Sequence, residues 1–156
     1  MRLSVAAIGQ RAPAWVSEAW SEYSRRLPST LGLELRERPL AHRGKNADIE
    51  RARQQEGEAL LAAVPAGARV VALEISGTPW STEVLASQLE RWMSEGQDVC
   101  FLIGGPDGLS PDCLRRAEQR WSLGAMTLPH TLVRVIVAAQ IYRAWSILNH
   151  HPYHRA

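Results

Sequence analysis

Lysine is almost missing from this chain of 156 residues: of its 18 basic side chains, only Lys45 is not an arginine. Arginine's planar fork suits phosphates and nucleobases, but a GC-rich genome gives the same bias, so the shortage excludes little. Net charge is only +2, with a pI of about 8.8. That falls short of the basic balance, above about pI 9, that marks a dedicated nucleic-acid-binding domain. Cysteine is scarce as well. Cys100 lies in the apolar run Val99-Cys100-Phe101-Leu102-Ile103, and Cys113 is the other one. A disulfide framework is disfavoured, and reduced cytoplasmic thiols are expected. No apolar run approaches the ~20 residues that span a bilayer, and the opening MRLSVAAIG lacks the length and cleavage site of a secretory leader. These absences predict a soluble cytoplasmic protein.

No repeat, low-complexity tract or linker interrupts the sequence, so residues 1–156 are expected to form a single domain. An apolar fraction of 46% is enough for an ordinary core. Arg2 to Gly9 alternates loosely and reads as a first strand, and Trp15 to Leu27 has helical spacing that halts before Pro28. Leu31 to Glu37 reads as a half-exposed strand. Ala41 to Asn46 is a basic loop, and Asp48 to Val64 a helix with acids in its first turn. Arg69 to Leu73 and Val99 to Ile103 are continuous apolar runs, the pattern of strands buried on both faces of a parallel sheet. Between them Ser81 to Ser94 predicts a helix, with Ser81 as N-cap and Gly96 past its end. The β–α–β order argues for an α/β fold. Leu132 to Leu148 is a helix apolar almost all round, its only charges Arg134 and Arg143 on opposite sides. One side can lie on the sheet, and the other predicts a second subunit, with a two-fold dimer as the default.

Both apolar strands run into glycine-bearing turns, Glu74-Ile75-Ser76-Gly77-Thr78-Pro79-Trp80 and Gly104-Gly105-Pro106-Asp107-Gly108. Ligands of open α/β sheets sit outside the carboxyl ends of strands, so a small-molecule pocket is predicted there; a plain tight turn is the competing reading. GGPDG is not G-x-G-x-x-G, and neither it nor Gly44-Lys45 makes a P-loop. Ordinary dinucleotide and triphosphate binding are therefore disfavoured. A third segment, Trp121 to His130, is apolar and irregular, so its backbone groups need partners that a heterocycle could supply. A short buried strand plus a turn fits it equally well. The chain ends in Asn149-His150-His151-Pro152-Tyr153-His154-Arg155, yet zinc spacing is absent and Pro152 breaks any helix there, so no metal site is expected. Neither a G-x-S-x-G elbow nor an accessible cysteine supports a hydrolase.

Several segments together carry a recognisable pattern. They are Arg43-Gly44-Lys45-Asn46-Ala47-Asp48-Ile49, Leu102 to Pro111, Trp121-Ser122-Leu123, Thr127-Leu128-Pro129-His130, Leu132-Val133-Arg134-Val135, Tyr142-Arg143-Ala144-Trp145-Ser146 and the ending His151-Pro152-Tyr153-His154-Arg155. In this order and spacing, across essentially the whole chain, the sequence resembles the RlmH (YbeA-like) family of the SPOUT superfamily, methyltransferases of large-subunit ribosomal RNA. The resemblance implies a SPOUT methyltransferase fold: a mainly parallel sheet flanked by helices, with a C-terminal deep trefoil knot. It implies S-adenosyl-L-methionine held in that knot largely by backbone groups of Leu73 and its following turn, of Gly104 and its neighbours, and of Leu123, Gly124, Ala125, Met126, Thr127 and Leu128. It also implies a homodimer that methylates N3 of a pseudouridine in helix 69 of 23S rRNA within the assembled 70S ribosome.

Attack by that N3 needs in-line alignment and loss of its proton, and no covalent enzyme nucleophile. The candidates near the methyl group are His154 as base or relay, Tyr153 to stack on or hydrogen-bond the base, and Arg155 and Arg143 for phosphate or oxyanion. The resemblance has the tail of one subunit completing the pocket of the other. For Arg143 the bland alternative is a buried partner of a carboxylate, and for His130 it is a cap on the last helix. Arg25, Arg26, Arg43 and Lys45 are candidate phosphate contacts, or simply solvated charges. Two rival readings remain: a non-catalytic ribosome-associated binding protein with the same fold, and a generic flavodoxin-like nucleotide-binding domain. Neither would need the tail.

Overall fold

The computed structural model describes residues 1–45 and 48–155, with the side chains of His154 and Arg155 excepted. Five strands form one wholly parallel sheet: β1 (Leu3–Ile8), β2 (Leu33–Arg38), β3 (Arg69–Pro79), β4 (Val99–Ile103) and β5 (Gln119–Ser122), in the order β2-β1-β4-β3-β5. Helices α1 (Ala14–Ser24), α3 (Thr82–Glu95) and α5 (His130–Leu148) cover one face, and α2 (Ile49–Ala62) and α4 (Pro111–Arg116) cover the other. The alternation of a strand divides β1 between these layers. Leu3, Val5 and Ala7 join the core under α1, α3 and α5, while Ala6 and Ile8 face Leu60 of α2 and Cys113 of α4. Every residue of β1 and β4 is buried, which is why β4 reads as an unbroken apolar run. Both cysteines are free and buried, and burial pushes both thiols up, so neither is a ready nucleophile.

Local signals place the starts of α2 and α3 and the end of α3. Ser81 Oγ accepts from Val84 N at 3.1 Å, and Asp48 caps α2 by accepting from Arg51 N at 3.2 Å. Gly96 closes α3 in the left-handed region. The main departure is β3. The expected strand end at Leu73 is a register shift, and the strand continues to Pro79 beside β5, with Leu73 and Thr78 both pairing with Trp121. Gly77 permits this, because a Cβ there would stand 2.7 Å from the backbone carbonyl of Arg120. The predicted turn is thus a bulged strand, held by a partner about fifty residues away.

Helix α5 is long and apolar enough to cross a membrane by length and composition. In the folded chain it lies against α1 and α3, and its Arg134 is buried. That guanidinium donates to Glu37 Oε2 at 2.6 Å and to the carbonyls of Gly9 and Ile8 at 3.1 and 3.3 Å, tying the start of α5 to the ends of β1 and β2. Only seven of the nineteen α5 residues are buried within the chain.

Candidate active site

At the carboxyl edge of the sheet a cavity of about 520 Å³ opens between the ends of β3, β4 and β5. Its size is that of an ordinary small-molecule site. The wall combines Leu73 to Ser76 of β3, Ile103 to Leu109 at and after the end of β4, and Trp121, Leu123, Gly124 and Met126 to Leu128 at and after β5; Arg53 of α2, Leu114 of α4, and His130 and Val133 of α5 complete its described lining. Of the residues expected to cradle a ligand, Leu73, Gly104, Leu123, Gly124, Met126, Thr127 and Leu128 line this cavity. Ala125 is exposed and is not among its described lining.

The loops are held by specific contacts. Ser122 Oγ donates to Ile75 O at 3.0 Å and accepts from Gly124 N at 3.1 Å, stapling the β5 loop to the bulge of β3. Gly104 is required by close approach: a Cβ there would sit 2.5 Å from the backbone carbon of Gly108. Behind this loop lies Glu56, only 2% exposed. Its Oε2 accepts from Ala41 N at 3.0 Å and from Arg43 Nη1 at 2.7 Å, and its Oε1 accepts from Arg43 Nη2 at 3.0 Å. Arg43 Nε in turn donates to Asp107 Oδ2 at 2.8 Å. A fork of this kind is the strong form of an ion pair, and the bonds from Glu56 hold the Arg43 guanidinium above its ordinary pKa. Arg43, read from sequence as a phosphate contact or a solvated charge, is instead a brace between the basic loop and Gly104–Gly108. Arg25 and Arg26 are exposed beside Glu22, and Lys45 is exposed.

His130 is the first residue of α5 and makes no capping bond; Pro129 occupies the cap position. The expected capping role gives way to a place on the cavity wall. Burial, then the charge of Arg134, pushes its imidazole below the usual 6.5, so it is neutral at neutral pH.

The tail lies elsewhere. Pro152–Arg155 forms a 3-10 turn against α5, with the Tyr153 ring 4.7 Å from that of Tyr142 and the Arg143 guanidinium 4.9 Å from the Tyr153 centroid. Tyr153 also shares a hydrogen bond with Tyr23, which raises the Tyr23 phenol above its ordinary value. Arg143 and Tyr153 are therefore brought together, and neither lines the cavity of its own chain. His154 and Arg155 follow in the same turn, and their side chains lie outside the described residues. From His130 to Arg143 the helix rises roughly 20 Å, which separates the Arg143–Tyr153 pair from the start of α5 at the cavity wall.

Sequence reasoning missed Arg53, Glu56 and the burial of Arg134. Arg53 and Glu56 lie in a helix that sequence reading placed without assigning its inward face, and only their long-range partners reveal that they turn inward.

A parallel α/β sheet with its ligand cavity among the loops after three adjacent strands defines a class, and the comparisons agree. The family model described as a predicted SPOUT methyltransferase matches residues 1–154, and the chain belongs to that family. Curated relatives align over 155 residues, covering 99% of this chain and all of theirs. Those from Pseudomonas aeruginosa (57% identical), Pseudomonas putida (56%) and Pseudomonas entomophila (56%) all bear the name Ribosomal RNA large subunit methyltransferase H.

Proposed function

We propose that this chain methylates large-subunit ribosomal RNA from S-adenosyl-L-methionine, at N3 of a pseudouridine in helix 69 of the assembled 70S ribosome. It acts in the cytoplasm as a homodimer. The observation that carries the reading is near-complete alignment, at 56–57% identity, with relatives named for that class of reaction. The cavity fits the donor on its own terms. Its volume suits a nucleoside-sized ligand, Gly104 allows backbone to approach closely, and the walls are mainly apolar around a few polar groups. The C-terminal trefoil crossing belongs to the same reading, supported by a cavity assembled from the loops after β3, β4 and β5.

Bound there, the donor supplies an electrophilic methyl group. Backbone groups of Leu73, Gly104 and Leu123 to Leu128 would hold it, and the Arg43–Glu56–Asp107 brace fixes the middle loop. Arg143 and Tyr153 form a unit in which the guanidinium keeps the ring oriented for stacking on an extruded base. His154 and Arg155 would receive the N3 proton and steady the developing negative charge on the ring. The roughly 20 Å of α5 between cavity and tail supports a reading in which those residues serve the partner's cavity, with the incompletely covered α5 as the surface between the two chains.

The test is calorimetry with S-adenosyl-L-methionine, followed by mass mapping of helix 69 after incubation with unmodified and pseudouridylated ribosomes. Methylation confined to the pseudouridylated particle is expected. Absence of donor binding at high micromolar concentration overturns the reading, while donor binding without a methylated product favours the non-catalytic alternative.

A further inference from the structure

The titratable groups among the cavity's described lining residues are Arg53, Glu74, Asp107 and His130. Asp107 accepts from Arg43, Glu74 Oε1 accepts from the backbone N–H and hydroxyl of Ser76 at 3.3 and 3.1 Å, and His130 is neutral. Arg53 differs. It is the only guanidinium or ammonium in that described lining, and its Nε is buried without a hydrogen-bond partner. Its Nη1 reaches the Asp107 carbonyl only at the long distance of 3.5 Å. Its Nη2 rests on Glu50, a carboxylate one helical turn earlier that is 70% exposed. Such a surface pair is weak and readily exchanged, whereas an orphaned buried donor is costly to leave unpaired. Nε and Nη2 together form the edge of the guanidinium that takes a carboxylate side-on. Glu74 and Asp107 stand close enough for their charges to act on Arg53, so one end of the cavity presents a cation flanked by acids. That arrangement complements an α-amino acid zwitterion.

We propose that Arg53 is the carboxylate subsite for the amino-acid end of the methyl donor, engaging it through Nε and Nη2 in place of Glu50. The inference rests on the reading that the cavity binds S-adenosyl-L-methionine, and it assigns a residue that the three loops alone do not supply. Arg53 is thereby a binding residue and takes no part in the methyl transfer itself.

The experiment titrates wild-type protein and Arg53→Gln with three probes by calorimetry. S-adenosylhomocysteine carries both ends of the zwitterion, decarboxylated S-adenosylmethionine keeps only the ammonium, and 5′-methylthioadenosine has neither. Arg53→Gln is expected to weaken S-adenosylhomocysteine roughly tenfold or more. The other two probes should bind as they do to wild type, which also shows that the variant is folded. Arg53→Lys should recover part of the loss, since it restores the charge without the fork. Equal weakening of all three probes, or unchanged affinity for S-adenosylhomocysteine, overturns the subsite. A loss shared by the decarboxylated probe overturns it too. If wild-type protein binds none of the three, the donor reading itself fails, and that result is distinct from all the others.

Discussion

Glu56 shows how much can rest on one carboxylate. It is buried, yet it joins the backbone of Ala41, both terminal nitrogens of Arg43 and, through Arg43, the Asp107 side chain. Removing one partner of such a pair leaves a buried charge without compensation. Arg43→Ala should therefore cost about 3 kcal/mol, read as a lower denaturant midpoint, and should weaken donor binding by loosening Gly104–Gly108. An unchanged midpoint would show that the brace is incidental. His130 gives a pH prediction. Its folded pKa lies below the unfolded value, so the unfolded chain takes up the proton first as pH falls. This contribution is intact above pH 6.5 and is lost as pH drops through the folded value. His130→Gln should lose less stability between pH 7 and pH 5 than wild type; an equal loss would assign the acid sensitivity to the carboxylates alone. None of this was legible in the sequence. The Glu56 and Asp107 partners of Arg43 are 13 and 64 residues away, and Glu56 is enclosed only when the Ala41–Arg43 loop and Gly105 close over it.

Elements were far more legible than pairings. Strands β1 and β4, the α3 caps and the long apolar α5 follow from local periodicity and capping chemistry, because the forces that fix them act within a few residues. Strand β3 followed only from Arg69 to Leu73; its continuation to Pro79 did not, since Gly77 and Pro79 are local breakers that cross-strand pairing with β5 overrides. The three loops of the cavity were found as glycine-bearing or irregular segments, but their convergence needed the fold. Helix α5 also sets two sites apart, with His130 at the cavity and Tyr153 beside Tyr142 and Arg143 near the other end. Truncation after Asn149 should accordingly leave donor affinity within about twofold of wild type and abolish methyl transfer, as α5 and the loops are untouched. Normal turnover by the truncated protein would remove the tail from the mechanism. Gly104→Ala should do the reverse in binding, since its Cβ would collide with the backbone of Gly108; a large loss of donor affinity with the tail intact is expected by calorimetry.

At the scale of the whole molecule, the proposed dimer, with its tail serving the partner's cavity, implies that the two defects complement each other. A tail-less subunit keeps its cavity, and a Gly104→Ala subunit keeps its tail, so a mixed dimer holds one complete site. Random assortment of two-fold dimers makes half of them mixed, and activity should return to roughly a quarter of wild type. No recovery would mean that each chain works alone. The sheet order has its own consequence for a chain made from its N-terminus. Strand β4 fills the slot between β1 and β3, both completed well before Val99 is added. Until then, β1 and β3 each carry an open apolar edge with nothing native to pair with it. A nascent or prematurely terminated chain ending before Val99 therefore carries two sticky inner edges, free to pair with each other or with neighbouring chains. Fragments of this length should precipitate or be captured by holdase chaperones, whereas fragments carried past Ile103 should show a sharp gain in solubility.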